Sequence, residues 1–139
     1  SRLIFGGEIL VDQDYKNGNY VQPTLFDNVD PKSLIATEEI FGPVLGLIDA
    51  DDYEQCIKIA NDTSYGLSAG IFTSNLNLAM EFANNINAGI VKINGETAGV
   101  EPQVPFGGMK ESSSGAREQG KSAVDFFTQT KTIYVERSA

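Results

Sequence analysis

A chain of 139 residues is enough for about one domain, and 41% apolar with 21% charged residues is an ordinary globular composition. Ten basic and nineteen acidic side chains leave a net charge of −9, which repels phosphate backbones and anionic lipid, so no nucleic acid and no membrane partner is expected. The absence of histidine rules out Ser-His-Asp, Cys-His and imidazole-metal chemistry within the chain, and a single cysteine makes neither an internal disulfide nor a structural zinc site, so the expected setting is the reducing cytoplasm and no metal site is assigned.

The acidity is uneven. Residues 1–62 hold twelve Asp/Glu against four Lys/Arg, and residues 63–139 hold seven against six, a bias that most often marks a solvated surface.

In chain order, the first thirty residues read as short strands joined by turns. Leu3-Ile4-Phe5 precedes a Gly6-Gly7 break and Ile9-Leu10-Val11, and an Asn17-Gly18 turn precedes Tyr20-Val21. Pro23 marks that second run as short or at a sheet edge. Val44 to Ile48 is a continuous apolar run, the pattern of a fully buried strand. Asp49, Asp51 and Asp52 then supply cap and first-turn acids for a helix from about Tyr53. Its apolar positions Tyr53, Cys56, Ile57 and Ala60 fall on one helical face, so Cys56 is expected in the core, inert and not a nucleophile.

"GLSAGIFT" reads as the next strand. A second helix follows, capped by Ser74 or Asn75, with Ala79, Phe82, Ala83 and Ile86 inward. Asn87-Ala88-Gly89 stops it, and "GIVKIN" is another strand. Helix, strand, helix, strand with short connections predicts an α/β fold with parallel strands. Residues 95–115, rich in Gly, Pro and Ser, form a long loop of the kind that is usually functional or mobile. A helix is expected from about Ala116 with Ala116, Gly120, Ala123 and Phe127 on one stripe, then a closing strand in "TKTIYVERS".

Two loops carry possible chemistry. In Glu38-Glu39-Ile40-Phe41-Gly42-Pro43, one carboxylate could grip a ligand diol while Phe41 offers an aromatic face; equally, the acids could cap a helix and Phe41 fill the core. "PFGGMKESSSG" has the Gly/Ser content of an anion-binding turn, but neither G-x-x-x-x-G-K-[ST] nor G-x-G-x-x-G is present, and a tight structural turn is the better reading.

Three motifs in fixed order carry a resemblance: "EEIFGPV" at 38–44, "NDTSYGLSAGIFT" at 61–73, and "GIVKIN" followed by "PFGGMKESSSGAREQG" within 89–120. Together they resemble the C-terminal part of the NAD(P)-dependent aldehyde dehydrogenase family, through essentially the whole chain. The resemblance implies that residues 1–127 belong to the family's catalytic domain, a parallel-strand α/β sheet, and that residues 128–139 form an oligomerisation arm. It implies an enzyme that oxidises an aldehyde to a carboxylic acid with NAD or NADP through a thioester, and whose nucleophilic cysteine and general-base glutamate lie outside this chain. The isolated chain is then expected to be inactive.

Residue by residue, Glu39 resembles the family acid that holds the nicotinamide ribose, with Glu38 its neighbour, and Phe41 the aromatic beside the nicotinamide ring. Asn94 resembles an asparagine that buttresses the catalytic loop. Phe106 resembles an aromatic lining the aldehyde entrance, with Gly95 to Val104 shaping substrate choice. The closing strand resembles the arm that pairs between subunits, implying a homo-oligomer, dimer or tetramer, in the intact enzyme.

The pattern K-x-S-G-x-G-R-E-x-G departs here: two glycines are replaced by Ser113 and Ala116 and one moves to Gly115. This variant resembles the subgroup that oxidises keto-acid semialdehydes such as 2-oxoglutarate semialdehyde (2,5-dioxopentanoate). A different class of reading is a non-catalytic association module that keeps the fold for its sheet-pairing tail.

Overall fold

The computed structural model describes residues 1–137 and divides into two compact units, Ser1–Thr63 and Ser64 onward. The chain is mixed α/β, as expected.

In the first unit, β1 (Arg2–Phe5), β4 (Thr24–Asp27) and β5 (Val44–Gly46) form one sheet in the order β1-β4-β5. β1 runs antiparallel to β4, whereas β4 and β5 are parallel with Thr24 opposite Val44. The parallel pair is joined through α1 (Leu34–Thr37), a single helical turn. A second small sheet, β2 (Ile9–Leu10) with β3 (Tyr20–Val21), is an antiparallel pair around the Asn17-Gly18 connection. The expectation of a fully buried strand at 44–48 is corrected: β5 stops at Gly46, stands at a sheet edge, and leaves Leu45 and Leu47 exposed. A continuous apolar run is buried on both faces only where sheet or helix covers both.

Thr24 ties this unit together. Its buried hydroxyl accepts from the Gly7 N–H at 2.9 Å and donates to the Gln22 carbonyl at 2.8 Å, while its own N–H donates to the Pro43 carbonyl at 2.8 Å. The Gly6 position is equally tight, since a Cβ there would stand 2.0 Å from the Pro23 carbonyl oxygen. Thr24→Val keeps the shape and orphans the Gly7 donor and the Gln22 acceptor, so urea unfolding should show a loss of about 2 kcal/mol. Across β1 and β4, Arg2 pairs with Asp27 at 2.6 Å, and this hydrogen bond is the main cause that holds the Asp27 carboxyl below its ordinary value.

The α2 helix (Tyr53–Asn61) begins where its acids predict, with the Asp52 carboxylate accepting from the Gln55 N–H at 2.8 Å. Lys32 forms an ion pair with Asp62 at the end of α2.

The second unit holds two strand pairs: β6 (Tyr65–Gly66) antiparallel to β9 (Met109–Lys110), and β7 (Ser68–Ile71) parallel to β8 (Ile90–Ile93). The β7–β8 crossover runs through α3 (Leu76–Asn85), capped by the Asn75 side chain, which accepts from the Asn77 and Leu78 N–H groups. Ala79, Phe82 and Ile86 are buried as the helical spacing predicts, and Ala83 is half-buried. With Ala88, they form the apolar centre of this unit.

The C-terminal part differs from expectation. The helix expected from Ala116 is only α4 (Ser122–Phe127), because Glu118 is drawn into a β-bridge with Phe106 and Gly120 adopts φ +52°. The closing strand is not formed in residues 130–137, and Ser138 lies outside the described residues. A strand exists only when its N–H and C=O groups find a ladder, and Ile133, Tyr134 and Val135 stand exposed here without one.

Candidate functional site

The loop after α1 is built to face outward. Its helix ends at Thr37, and Glu38 is the C-terminal cap, donating its N–H to the Leu34 carbonyl at 2.9 Å. Behind it, the Pro43 carbonyl is fixed by Thr24, so the loop is anchored to β4. Between these anchors Glu38, Glu39, Ile40, Phe41 and Gly42 are all exposed.

Phe41 is 91% exposed and holds φ +56°, a left-handed conformation that costs a non-glycine residue about 1 kcal/mol or more. The carboxylate of Glu39 makes no hydrogen bond or ion pair with the described residues. The capping-and-core alternative is met only in the main chain of Glu38: neither carboxylate caps α1, and Phe41 is exposed. What remains is an unengaged acceptor and an aromatic face on one anchored loop tip.

In the second unit, Asn94 ends β8 with φ +55°. Both ends of its amide are engaged on one residue: Oδ1 accepts from the Thr73 N–H at 2.8 Å and Nδ2 donates to the Thr73 carbonyl at 2.9 Å. Its main-chain N–H donates to the Ile71 carbonyl at 2.8 Å. Asn94 therefore locks the ends of β7 and β8 and sets the direction in which the loop 95–105 departs. Asn94→Ala removes both side-chain bonds and puts Ala at a positive φ, and thermal or urea unfolding should register a loss of about 2 kcal/mol.

Phe106 is half-buried and is held by paired bonds with Glu118, at 2.7 and 3.1 Å. It lines a cavity of about 190 Å³ with Gly107, Ser113, Ser114, Ala116, Glu118 and Phe126. The neighbouring serines are spent on the backbone: Ser112 Oγ accepts from the Gly66 N–H at 3.0 Å and Ser113 Oγ from the Gly108 N–H at 2.7 Å. This is the structural turn that the sequence favours over an anion cradle. Ser113 thus braces the loop through the Gly108 N–H.

Sequence reasoning missed one feature. A Cβ on Gly89 would lie 2.0 Å from the Gly107 carbonyl oxygen, and one on Gly66 would lie 2.6 Å from the Asn87 carbonyl oxygen. The start of β8, the β6 strand and the Phe106–Gly108 turn thus meet backbone to backbone. The signal was a set of glycines far apart in the chain, which no local pattern connects.

Cys56 requires a correction. It is exposed on α2, whose Tyr53, Ile57 and Ile59 are only half-buried. A helical stripe is buried only as far as another element lies over it, and within this unit the cover does not reach Cys56. Neither histidine nor a described hydrogen-bond partner accompanies the thiol, so exposure does not make it a catalytic arrangement.

The pattern of the aldehyde dehydrogenase family matches residues 1–133. The chain is 56% identical over 134 residues to an alpha-ketoglutaric semialdehyde dehydrogenase of Bacillus subtilis (strain 168), covering 96% of this chain and 28% of that protein. It is 45% identical over 133 residues to an alpha-ketoglutarate semialdehyde dehydrogenase of Haloferax volcanii, covering 95% and 28% respectively. A crystal structure of a Mycobacterium tuberculosis aldehyde dehydrogenase complexed with NAD+ superposes with a TM-score of 0.86 at 40% identity, covering 97% of this chain and 27% of that one. The chain thus spans a little over a quarter of the length of these relatives. On the motifs, the fold and these matches together, the chain belongs to the aldehyde dehydrogenase family.

Proposed function

We propose that this chain is the C-terminal part of a longer NAD(P)-dependent enzyme that oxidises the semialdehyde of a keto acid, 2-oxoglutarate semialdehyde, to the dicarboxylate. The observation that carries the reading is the anchored loop that presents Glu39 and Phe41 outward, with no hydrogen bond or ion pair to Glu39 from the described residues and Phe41 91% exposed. The names of the two relatives above, and the variant loop containing Ser113 and Ala116, support the substrate class.

On this reading Glu39 accepts two hydrogen bonds from a ribose diol, which an ionised carboxylate does with both oxygens. Phe41 lies against the nicotinamide, excluding water from one side of the ring. The dinucleotide, when bound, supplies the hydride acceptor. Asn94 holds the β7–β8 ends so that the loop 95–104 and Phe106 frame the aldehyde's approach. The nucleophile and the general base are contributed from outside these 139 residues, since the single cysteine sits on a surface helix without a base. Residues 128–139 serve as an arm that pairs with a second copy, which would satisfy the ladder groups and cover Ile133 to Val135.

The test is absorbance of reduced cofactor with NAD or NADP and a panel of aldehydes, run on the longer protein and on the chain alone. The expected result is turnover by the longer protein with preference for 2-oxoglutarate semialdehyde, and silence from the chain with every pair. Turnover by the chain alone would overturn the assignment of the nucleophile, and a longer protein indifferent to the semialdehyde would overturn the substrate class.

A further inference from the structure

The dipeptide Asn-Gly occurs twice, at Asn17-Gly18 and Asn94-Gly95. In such a pair the glycine nitrogen can approach the asparagine amide carbon with least obstruction, because glycine has no Cβ and the widest choice of backbone angles. By sequence the two sites are alike. The structure separates them.

At Asn94 both ends of the side-chain amide are held by Thr73, and the main-chain N–H is held by Ile71. The amide carbon cannot turn onto the Gly95 nitrogen until both side-chain bonds break. Crowding is not the obstacle, since a Cβ on Gly95 would meet nothing within 4 Å.

At Asn17 the situation is reversed. Asn17 is exposed in the connection between β2 and β3, and its side chain makes no hydrogen bond with the described residues. Nearby, Gly18 donates its N–H to the Tyr15 carbonyl at 3.1 Å, and the Tyr20 ring, in edge contact with Tyr15 at 5.3 Å, lies beside Gly18. These contacts leave the asparagine amide in water, and one hydrogen bond, from the Gly18 N–H to the Tyr15 carbonyl, has to break before the nitrogen can attack.

We propose that Asn17 is a site of spontaneous deamidation, and that Asn94 is latched against the same reaction by Thr73. The Gly18 nitrogen forms a bond to the Asn17 Cγ, the Cγ–Nδ2 bond breaks, and the Gly18 proton leaves with the amide as ammonia. Water then opens the cyclic imide at either carbonyl, giving aspartate or isoaspartate at position 17. The co-reactant is solvent, and no electron changes hands. The product adds a carboxylate to the half of the chain that already holds twelve acidic residues against four basic ones. In its iso form it also lengthens the backbone path between β2 and β3.

The longer protein is incubated in mildly alkaline buffer, folded and in concentrated urea, and each site is followed by peptide mass spectrometry with isoaspartate labelling. In the folded protein Asn17 converts first and Asn94 lags about fivefold, the slowing that corresponds to its two hydrogen bonds set against the one that holds the Gly18 N–H. In urea, where the bonds to Thr73 and to the Tyr15 carbonyl are lost, the two rates converge. Equal rates in the folded protein, or an Asn17 that converts in urea and is silent when folded, would overturn the proposal. A full lag that persists in urea would assign the difference to local sequence and remove the latch.

Discussion

Gly89→Ala is expected to destabilise the second unit by about 3 kcal/mol, lowering its melting temperature by roughly 10–20 °C for a unit of this size. The added methyl would stand 2.0 Å from the Gly107 carbonyl oxygen and 2.8 Å from the Gly108 Cα. Both are backbone atoms, so no side chain can rotate away. Relief requires the Phe106–Gly108 turn to move, and that turn is fixed from three directions: by the β6–β9 pairing, by Ser113 on the Gly108 N–H, and by Glu118 on Phe106. The Gly89 N–H also donates to the Gly66 carbonyl at 3.0 Å, so backing β8 away breaks a hydrogen bond. Gly95→Ala is the control, because a Cβ there meets open space; it should shift stability by no more than about 0.5 kcal/mol. Equal melting temperatures for the two variants in calorimetry would show that the backbone contact does not exist.

Glu39→Gln, made in the longer protein, is the second large effect and tests the proposed function directly. A hydrogen bond to a charged group contributes about 1.5–3 kcal/mol, so losing the charge should lower kcat/KM for the dinucleotide by about 10- to 100-fold. Folding stability should not change, because Glu39 is exposed and engages no described residue. Glu38→Gln, one residue away at the α1 cap, should leave cofactor kinetics near those of the unmodified enzyme. If Glu39→Gln leaves the cofactor KM and kcat intact, the carboxylate is not the ribose acceptor. If it lowers melting temperature and activity together, its role is structural.

Much of the local structure was legible because it is written in short-range pattern. The Asp52 cap and the start of α2 followed from acid placement, and the α3 stripe of Ala79, Phe82 and Ile86 followed from the 3.6-residue period. The parallel β7–β8 pair followed from strand, helix, strand with short links. The misses share a different cause. Cys56 lies on an apolar stripe by spacing yet in solvent by structure, β5 is an apolar run at an open edge, and "TKTIYVERS" has strand alternation without a strand through residue 137. In each case the pattern records a capacity to be covered or paired, which depends on what lies opposite.

The candidate site divides along the same line. Sequence alone determined the residue types and order: an acid pair before Phe-Gly-Pro, an asparagine closing "GIVKIN", a Phe-Gly-Gly turn and no histidine, and with that order the family resemblance. Tertiary structure decided which of those groups are available to a ligand. It turned Glu39 and Phe41 outward, engaged Asn94 on Thr73 and Ser112 and Ser113 on glycine N–H groups, and brought Gly89 against Gly107. Those choices rest on contacts between residues 5 to 46 positions apart. Periodicity along the chain cannot encode such contacts, because each depends on the exclusion of backbone by backbone and on hydrogen-bond pairing that exist only once the strands have met.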